Sequence, residues 1–252
     1  MTEDLTGKRA LVTGAASGIG AATARWLAAH GVTALVLVDL DGPGLAALDM
    51  PCEVLPFPGD VTDEALWDRI EAEAGPLDYA VINAGIAGGA PIATMTLDEW
   101  RATLSVNLDG AFLALRCATR LVRDHGAMVL TASVSGLKAE PGTAAYGASK
   151  AGLMQLGRVA AKELAPRGVR VNCIAPGGVD TPIWDQTPFF QEMIAQAGGD
   201  RAAAMAALSG AATPLARFAT ADQIAAQIGF LLSDAAGTIT GTSLVSDGGY
   251  LL

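Results

Sequence analysis

Apolar positions along the chain follow two alternating patterns. Short runs rich in Val, Leu, Ile and Ala alternate with longer stretches in which apolar residues recur at helical spacing. The short runs predict strands at Arg9–Thr13, Ala34–Asp39, Glu53–Phe57, Asp78–Asn83, Ala127–Ala132, Val169–Ala175 and Ser243–Val245. The longer ones predict helices over Gly18–Ala29, Asp63–Glu73, Leu97–Asp124, Ala144–Ala165 and Ala221–Ser233, with Gly31 closing the first and Pro166 and Gly168 closing the fourth. Strand followed by helix is the rhythm of βαβ units. Several strands are apolar almost throughout, as strands covered on both faces are. The expected fold is α/β, a doubly wound parallel sheet of about seven strands with helices on both faces.

Two stretches break the rhythm. Leu40–Pro51 is short and rich in Gly and Pro, and its conformation is left open. Residues 183–215 hold no predicted strand; they carry Trp184, Phe189, Phe190 and Met193 and then an Ala-rich run. Long insertions in compact domains are binding loops or lids, or are disordered, and the aromatic content favours a lid over this span. No Ser/Gly/Pro linker or internal repeat divides the chain, so residues 1–252 are expected to form a single domain.

Composition narrows the possible roles. Of the 252 residues 51% are apolar and 17% charged, enough apolar surface for a sizeable core. With 16 Lys+Arg against 26 Asp+Glu the net charge is −10, which disfavours phosphate backbones and anionic lipid as partners, so neither nucleic acid nor membrane is expected. Cys52, Cys117 and Cys173 are far apart, with no CxxC or Cys/His cluster; neither a disulfide framework nor a metal site is expected. The start, Met1-Thr2-Glu3-Asp4-Leu5, lacks the basic-then-apolar pattern of a secretory signal, and no apolar run is long enough to span a bilayer. A soluble, cytoplasmic protein is the expectation.

Directly after the first strand comes Thr13-Gly14-Ala15-Ala16-Ser17-Gly18-Ile19-Gly20, which opens a helix. Glycines there permit a tight turn and let backbone approach a pyrophosphate, whose charge the free N–H groups of a helix start favour. The spacing is G-x-x-x-G-x-G rather than G-x-G-x-x-G. At the end of the second strand stands Asp39, where a carboxylate accepts hydrogen bonds from an adenosine ribose and repels a 2′-phosphate. Ser17 and Leu40 supply no cation beside it, so NAD (NADH) is expected rather than NADP. The plainer reading of Asp39 is that it begins a turn.

Tyr146-Gly147-Ala148-Ser149-Lys150 places a phenol and an ammonium four residues apart, on one face of the fourth helix. A phenol titrates near 10; lowering it by about 3 units takes roughly 4 kcal/mol of differential interaction, which Lys150 and a nicotinamide cation together supply. Ser133 follows the fifth strand, at the sheet end where open α/β folds place their chemistry, and its hydroxyl suits a substrate oxygen.

This combination resembles the short-chain dehydrogenases/reductases, in the single-domain group of about 250 residues with a Rossmann-type sheet, and the resemblance spans essentially the whole chain. Within it, Asp60-Val61 resembles the adenine-contacting site and Asn83-Ala84-Gly85 the strand end flanking the ribose. Asn107 resembles the fourth member of a catalytic tetrad, and Pro176, Val179 and Thr181 resemble the loop holding the nicotinamide carboxamide. Ile82 departs from the pattern, which usually has a second asparagine there, and this weakens the expected bracing of the central strand.

The resemblance implies Tyr146 as general acid/base and Lys150 as the residue that lowers its pKa and holds the cofactor ribose. It implies Ser133 as the group polarising the substrate oxygen, and Asn107 as the anchor of a water relay to Lys150. The cofactor contacts it implies are Gly14, Ser17, Gly18, Ile19, Gly20, Asp39, Asp60, Val61, Asn83, Ala84, Gly85, Tyr146, Lys150, Pro176, Val179 and Thr181, with no metal. His30 and His125, near predicted helix ends, suit surface or capping roles.

Ser133, Ser135, Tyr146, Gly177 and Trp184 are expected to touch substrate. They are joined in lining the pocket by Val134, Ile86, Ala87, Gly178, Phe189 and Phe190. This mostly apolar set points to a secondary alcohol or ketone with a hydrophobic body. The other class of function on the same fold is a non-catalytic dinucleotide sensor or scaffold; such proteins often lose the tyrosine or lysine, and both are present here. Family resemblance also implies a homotetramer formed through the two long helices and the carboxy-terminal strands.

Overall fold

Among the described residues the apolar runs become nine strands, seven of them in one sheet. The computed structural model describes residues 5–252; the acidic start, residues 1–4, lies outside the described residues. In chain order the strands are β1 (Arg9–Thr13), β2 (Ala34–Asp39), β3 (Glu53–Pro58), β4 (Leu77–Ile82), β5 (Val122–Thr131), β6 (Arg170–Pro176), β7 (Val179–Asp180), β8 (Ala219–Thr220) and β9 (Ser243–Ser246). The main sheet has the order β3-β2-β1-β4-β5-β6-β9, while β7 and β8 form a separate two-residue ladder. Every pairing in the main sheet is parallel. The strand order reverses between β1 and β4, and in doubly wound sheets ligands bind in the crevice outside the carboxyl ends at that point.

Helices α1 (Gly18–Ala29), α2 (Gly42–Ala46), α3 (Glu64–Glu73), α4 (Leu97–Leu104), α5 (Ala111–Leu121), α6 (Ala144–Leu164), α7 (Pro188–Gln196), α8 (Arg201–Ala212) and α9 (Ala221–Leu232) complete the chain. Alternate strand residues supply two cores. Leu11, Val36 and Val38 pack with Trp67, Ile70, Leu113 and Leu153 from α3, α5 and α6. Ala10, Val12, Leu35 and Leu37 pack with Leu27, Ile224 and Ile228 from α1 and α9. The period of two along each strand thus places helices on both faces.

The structure departs from the sequence expectation around Leu97–Asp124 and fills in the stretch left open at Leu40–Pro51. The predicted helix Leu97–Asp124 is interrupted: α4 stops at Leu104, Ser105–Gly110 winds as a π-helix, and α5 ends at Leu121. Beyond it the chain is already in β5, where Val122 pairs with Leu77 before the register slips and His125 takes a left-handed φ of 64°. His125 therefore lies in a strand rather than at a helix end, whereas His30 caps α1, its Nδ1 2.7 Å from the Trp26 carbonyl. Leu40–Pro51 forms the short α2, with Pro43 in its first turn and Asp41 accepting from Gly44 N.

Residues 183–215 are largely helical; Phe190 is spent internally while Phe189 stays exposed. Phe190, Ala204 and Met205 form a small buried cluster, against which Trp184, Met193 and Phe218 pack. Phe190 is 0% exposed, so it does not line a pocket as expected; burying a large apolar ring gives two otherwise thin helices a core of their own.

Candidate active site

The turn after β1 is shaped by what its glycines leave out. Gly14 has φ 66°, and a Cβ there would meet Asn83 Nδ2 at 2.9 Å; a Cβ on Gly20 would fall 1.9 Å from the Gly14 carbonyl oxygen. Only a chain without side chains at these positions folds back on itself so tightly. Ser17 is the N-cap of α1, in extended conformation, and its side chain bonds none of the first-turn amides. The N–H groups of Gly18, Ile19 and Gly20 are thus left without a side-chain partner, an arrangement that fits a pyrophosphate.

Asp39 braces this turn. Its Oδ2 accepts from Ala16 N and its Oδ1 from Asp41 N, each at 2.9 Å. A carboxylate has about four acceptor directions, so capacity for ribose hydroxyls remains. Asp60 is exposed and accepts from both Thr62 N and Thr62 Oγ1 at 2.9 Å, while Val61 is buried with its carbonyl accepting from Trp67 Nε1 at 2.8 Å. Both are thus tied into the β3–α3 connection.

Ile82 is buried in the sheet core, and the brace is made by its neighbours. Thr13 Oγ1 accepts from Asn83 N and Ala84 N, both at 2.9 Å, and Asn83 Nδ2 donates to the Thr13 carbonyl at 3.1 Å. One asparagine and one buried threonine close the β1/β4 switch point.

Across the crevice, β5 and α6 supply the reacting groups. Lys150 is 4% exposed; its Nζ donates to the Thr131 carbonyl at 2.9 Å and lies 5.6 Å from the centre of the Tyr146 ring. Burial brings the Lys150 ammonium down to about 8. Burial also pushes the Tyr146 phenol above its ordinary value, opposed by a hydrogen bond with the Ser133 hydroxyl. Of these two effects, desolvation of the phenolate is the larger.

Ser133 caps a 3-10 turn, Val134–Gly136, with its Oγ accepting from Ser135 N at 3.2 Å. Ser135 thus lies beside the Ser133–Tyr146 pair.

Asn107 is fully buried in the π-helix. Its Oδ1 accepts from Ile86 N at 2.8 Å, and its Nδ2 donates to the Ile86 carbonyl at 3.0 Å and to Ser149 Oγ at 3.3 Å. Ser149 Oγ in turn donates to the Tyr146 carbonyl at 2.7 Å. A Cβ on Gly85 would stand 3.1 Å from Asn107 Oδ1 and 3.4 Å from Lys150 Nζ, so these two groups meet at the backbone of Gly85. Asn107, expected to anchor a relay, also clamps the β4 exit loop from within the π-helix.

The loop after β6 closes the ring. Thr181 is buried, its methyl 3.6 Å from where a Cβ on Gly18 would lie, so this loop meets the glycine turn. Pro176 and Val179 are buried; the Val179 carbonyl accepts from Trp184 Nε1 at 2.8 Å. Gly177 and Gly178 pack so closely on Asp247 and on the Phe218 ring that a Cβ would fall 2.9 and 2.4 Å from them. Trp184 stacks on Phe218 at 5.6 Å, which gives it an anchoring position beside its expected place at the substrate.

Several residues that shape the site carried no sequence signal of their own. Thr131 acts through its carbonyl and Thr13 through a buried hydroxyl. Gly136 and Gly147 let the Ser133 turn seat on α6, where a Cβ would meet Lys150 carbonyl carbon at 2.9 Å and the Ser135 carbonyl oxygen at 2.8 Å. Polar or small residues at the ends of apolar elements were the available hint. Among the described residues, no cluster of His, Cys, Asp or Glu is arranged to hold a metal, and no helix is long and apolar enough to cross a membrane. The three cysteines are free, with Cys117 and Cys173 buried.

Comparison with known proteins adds an independent line. The family model described as "Enoyl-(Acyl carrier protein) reductase" matches residues 14–251. The chain is 40% identical over 261 residues to cis-4-hydroxycyclohexanecarboxylate dehydrogenase of Sinomonas cyclohexanicum, covering 99% of each. It is 40% identical over 263 residues to D-threitol dehydrogenase of Mycolicibacterium smegmatis, covering 98% of this chain and 94% of that one. Among solved structures, L-sorbose reductase of Gluconobacter frateurii, complexed with NADPH and L-sorbose, superposes with a TM-score of 0.90 at 28% identity, covering 100% of this chain and 99% of that one.

Proposed function

This chain belongs to the short-chain dehydrogenase/reductase family, and on that footing we propose that it is an NAD-dependent enzyme interconverting a secondary alcohol and its ketone. The relatives are dehydrogenases and reductases acting on alcohols and ketones, which supports the class of reaction. The observation that carries the proposal is the buried Lys150 ammonium, held by the Thr131 carbonyl with its Nζ 5.6 Å from the centre of the Tyr146 ring, in a chain whose turn after β1 only glycine can form.

In alcohol oxidation Tyr146 Oη takes the hydroxyl proton while Ser133 Oγ donates to the substrate oxygen; in ketone reduction Tyr146 returns the proton. Lys150 holds a ribose hydroxyl with the N–H groups that Thr131 does not use, and its charge favours the phenolate. Asn107 keeps the Gly85–Ile86 backbone in place beneath it. A bound nicotinamide dinucleotide supplies the two-electron acceptor or donor. Gly14, Ser17, Gly18, Ile19 and Gly20 would hold its phosphates, Asp39 its adenosine ribose, Asp60 and Val61 its adenine side, and Val179 and Thr181 its carboxamide. Asp39 supports NAD because a 2′-phosphate would face a carboxylate there.

Ile86, Ile183 and Phe189 leave apolar surface exposed on segments that follow β4 and β6, which supports a substrate with a hydrophobic body. An alicyclic alcohol is the first choice, a class represented in the name of the Sinomonas relative. A cytoplasmic homotetramer is part of the same reading, tested by sedimentation.

The deciding experiment is a panel of alicyclic, aromatic and sugar alcohols with NAD and, separately, NADP, followed by absorbance of the reduced cofactor. Turnover of an alicyclic alcohol with NAD is expected. Preference for NADP would overturn the role of Asp39, and dinucleotide binding without any turnover would favour the non-catalytic reading.

A further inference from the structure

Arg201, the first residue of α8, donates from all three guanidinium nitrogens, two of them to Asp180 and Thr181 of the loop expected to hold the nicotinamide end of the cofactor and one to Asp185 at the start of the insert. Nη1 donates to Asp180 Oδ1 at 2.8 Å, Nε to Asp185 Oδ1 at 2.6 Å and Nη2 to the Thr181 carbonyl at 3.3 Å. The same guanidinium lies over the Phe190 ring, 5.7 Å from its centre. Phe190 is the fully buried centre of the insert's own core. One side chain therefore ties α7 and α8 to residues 180–185.

A second contact grips the same loop from the same side. Trp184 Nε1 donates to the Val179 carbonyl, and the indole stacks on Phe218, whose ring leaves no room for a side chain at Gly178. On its other side the loop touches the glycine turn, through the Thr181 methyl beside Gly18. Displacing α8 thus requires either breaking the Arg201 contacts or dragging Val179–Thr181 away from the phosphate turn.

The strength of the tie suits a latch. The side chains of Arg201, Asp180 and Asp185 are 37%, 44% and 38% exposed, and such pairs are individually weak in water. A planar fork that satisfies two carboxylates and a carbonyl at once has a geometry that a lysine's point charge cannot copy.

We propose that Arg201 is a positioning residue for cofactor retention: it couples the helical insert to the Val179–Thr181 loop, so that the insert must unlatch before the dinucleotide leaves. This rests on the assignment of that loop to the nicotinamide end in the proposed function.

The test is stopped-flow release of NADH from the full-length protein, read by the fluorescence of bound NADH, for the wild type and the variants Arg201→Gln, Arg201→Lys and Asp180→Asn. Release is expected to accelerate roughly tenfold in Arg201→Gln, with a matching rise in Kd, and by less in Arg201→Lys and Asp180→Asn. Raised ionic strength is expected to speed release from the wild type and leave Arg201→Gln unchanged. Loss of thermal stability alone, with release rates unaltered in the folded variants, would overturn the latch. If Arg201→Gln does not fold, the Lys and Asn variants carry the same comparison. A wild type that binds no NADH would overturn the functional reading itself, an outcome distinct from failure of the latch.

Discussion

The wall of the crevice built from β5 and α6 and the wall built from the insert hold their side chains by opposite means. Lys150, Asn107 and Ser133 are buried, and each is fixed by hydrogen bonds to backbone contributed by another element or by its own tight turn. The insert has a three-residue buried apolar core and ties itself to the loop after β6 through the half-exposed Arg201–Asp180 ion pair. Proton transfer needs groups held to a fraction of an ångström, which buried, fully partnered side chains provide. Admission and release need contacts that break and reform, which solvated ion pairs provide.

Three experiments would break or sharpen this contrast. The largest effect is expected from Tyr146→Phe, which removes the proton donor and acceptor while keeping the ring. Turnover should fall about 10²- to 10⁴-fold, with NADH affinity nearly unchanged; an equal loss of binding would mean that the residue belongs to the cofactor pocket rather than to the chemistry. Phe190→Ala comes next. Emptying the insert's core should cost about 3–5 kcal/mol, felt locally: limited proteolysis should cut within residues 183–215 while the main thermal transition barely moves. A single cooperative collapse of the whole chain would show that the insert has no stability of its own.

The smallest effect concerns the pH dependence of stability. Burial holds the Lys150 ammonium at about 8, below the ordinary lysine value. Above about pH 8 the folded chain has shed a proton that the unfolded chain still binds, so the Lys150 contribution to stability grows as pH rises toward the ordinary value and is lost as pH falls through 8. Comparing wild type with Lys150→Met isolates this from the Tyr146 phenol, whose raised value acts in the opposite sense. The wild type should gain on the variant in thermal melts between pH 7.5 and pH 9.5 (pH values chosen on the order of one to two units around that titration). A constant difference would mean that Lys150 is not desolvated.

Legibility in the sequence depended on distance along the chain. The sheet, its parallel sense and the two-faced helix cover followed from periodicity, because side chains alternate in strands and recur at 3.6 in helices whatever lies elsewhere. Tyr146 and Lys150 were readable as a pair because one helix carries both. The glycine turn was readable because its constraint is steric and local, down to the 1.9 Å that Gly20 would leave for a Cβ. The broken helix at Ser105–Gly110 was not, since the helical pattern runs through it and the partners of Asn107 there, Ile86 and Ser149, lie far away in sequence. The role of Phe190 was misjudged for the same reason: aromatic character signals burial or binding equally, and only Ala204 and Met205 decide which.

By itself, then, the order of residues determined the layered sheet, the phosphate-type turn and the spacing of phenol and ammonium, all set by covalent geometry and short-range sterics. Tertiary structure alone decided which carbonyl receives Lys150, how Thr13 and Asn83 replace the brace missing at Ile82, and that Arg201 grips three points on a loop sixteen to twenty-one residues away. Those are matters of hydrogen-bond partnership, and a donor's partner is chosen by the folded neighbourhood that brings distant backbone within 3 Å, a neighbourhood no local pattern encodes.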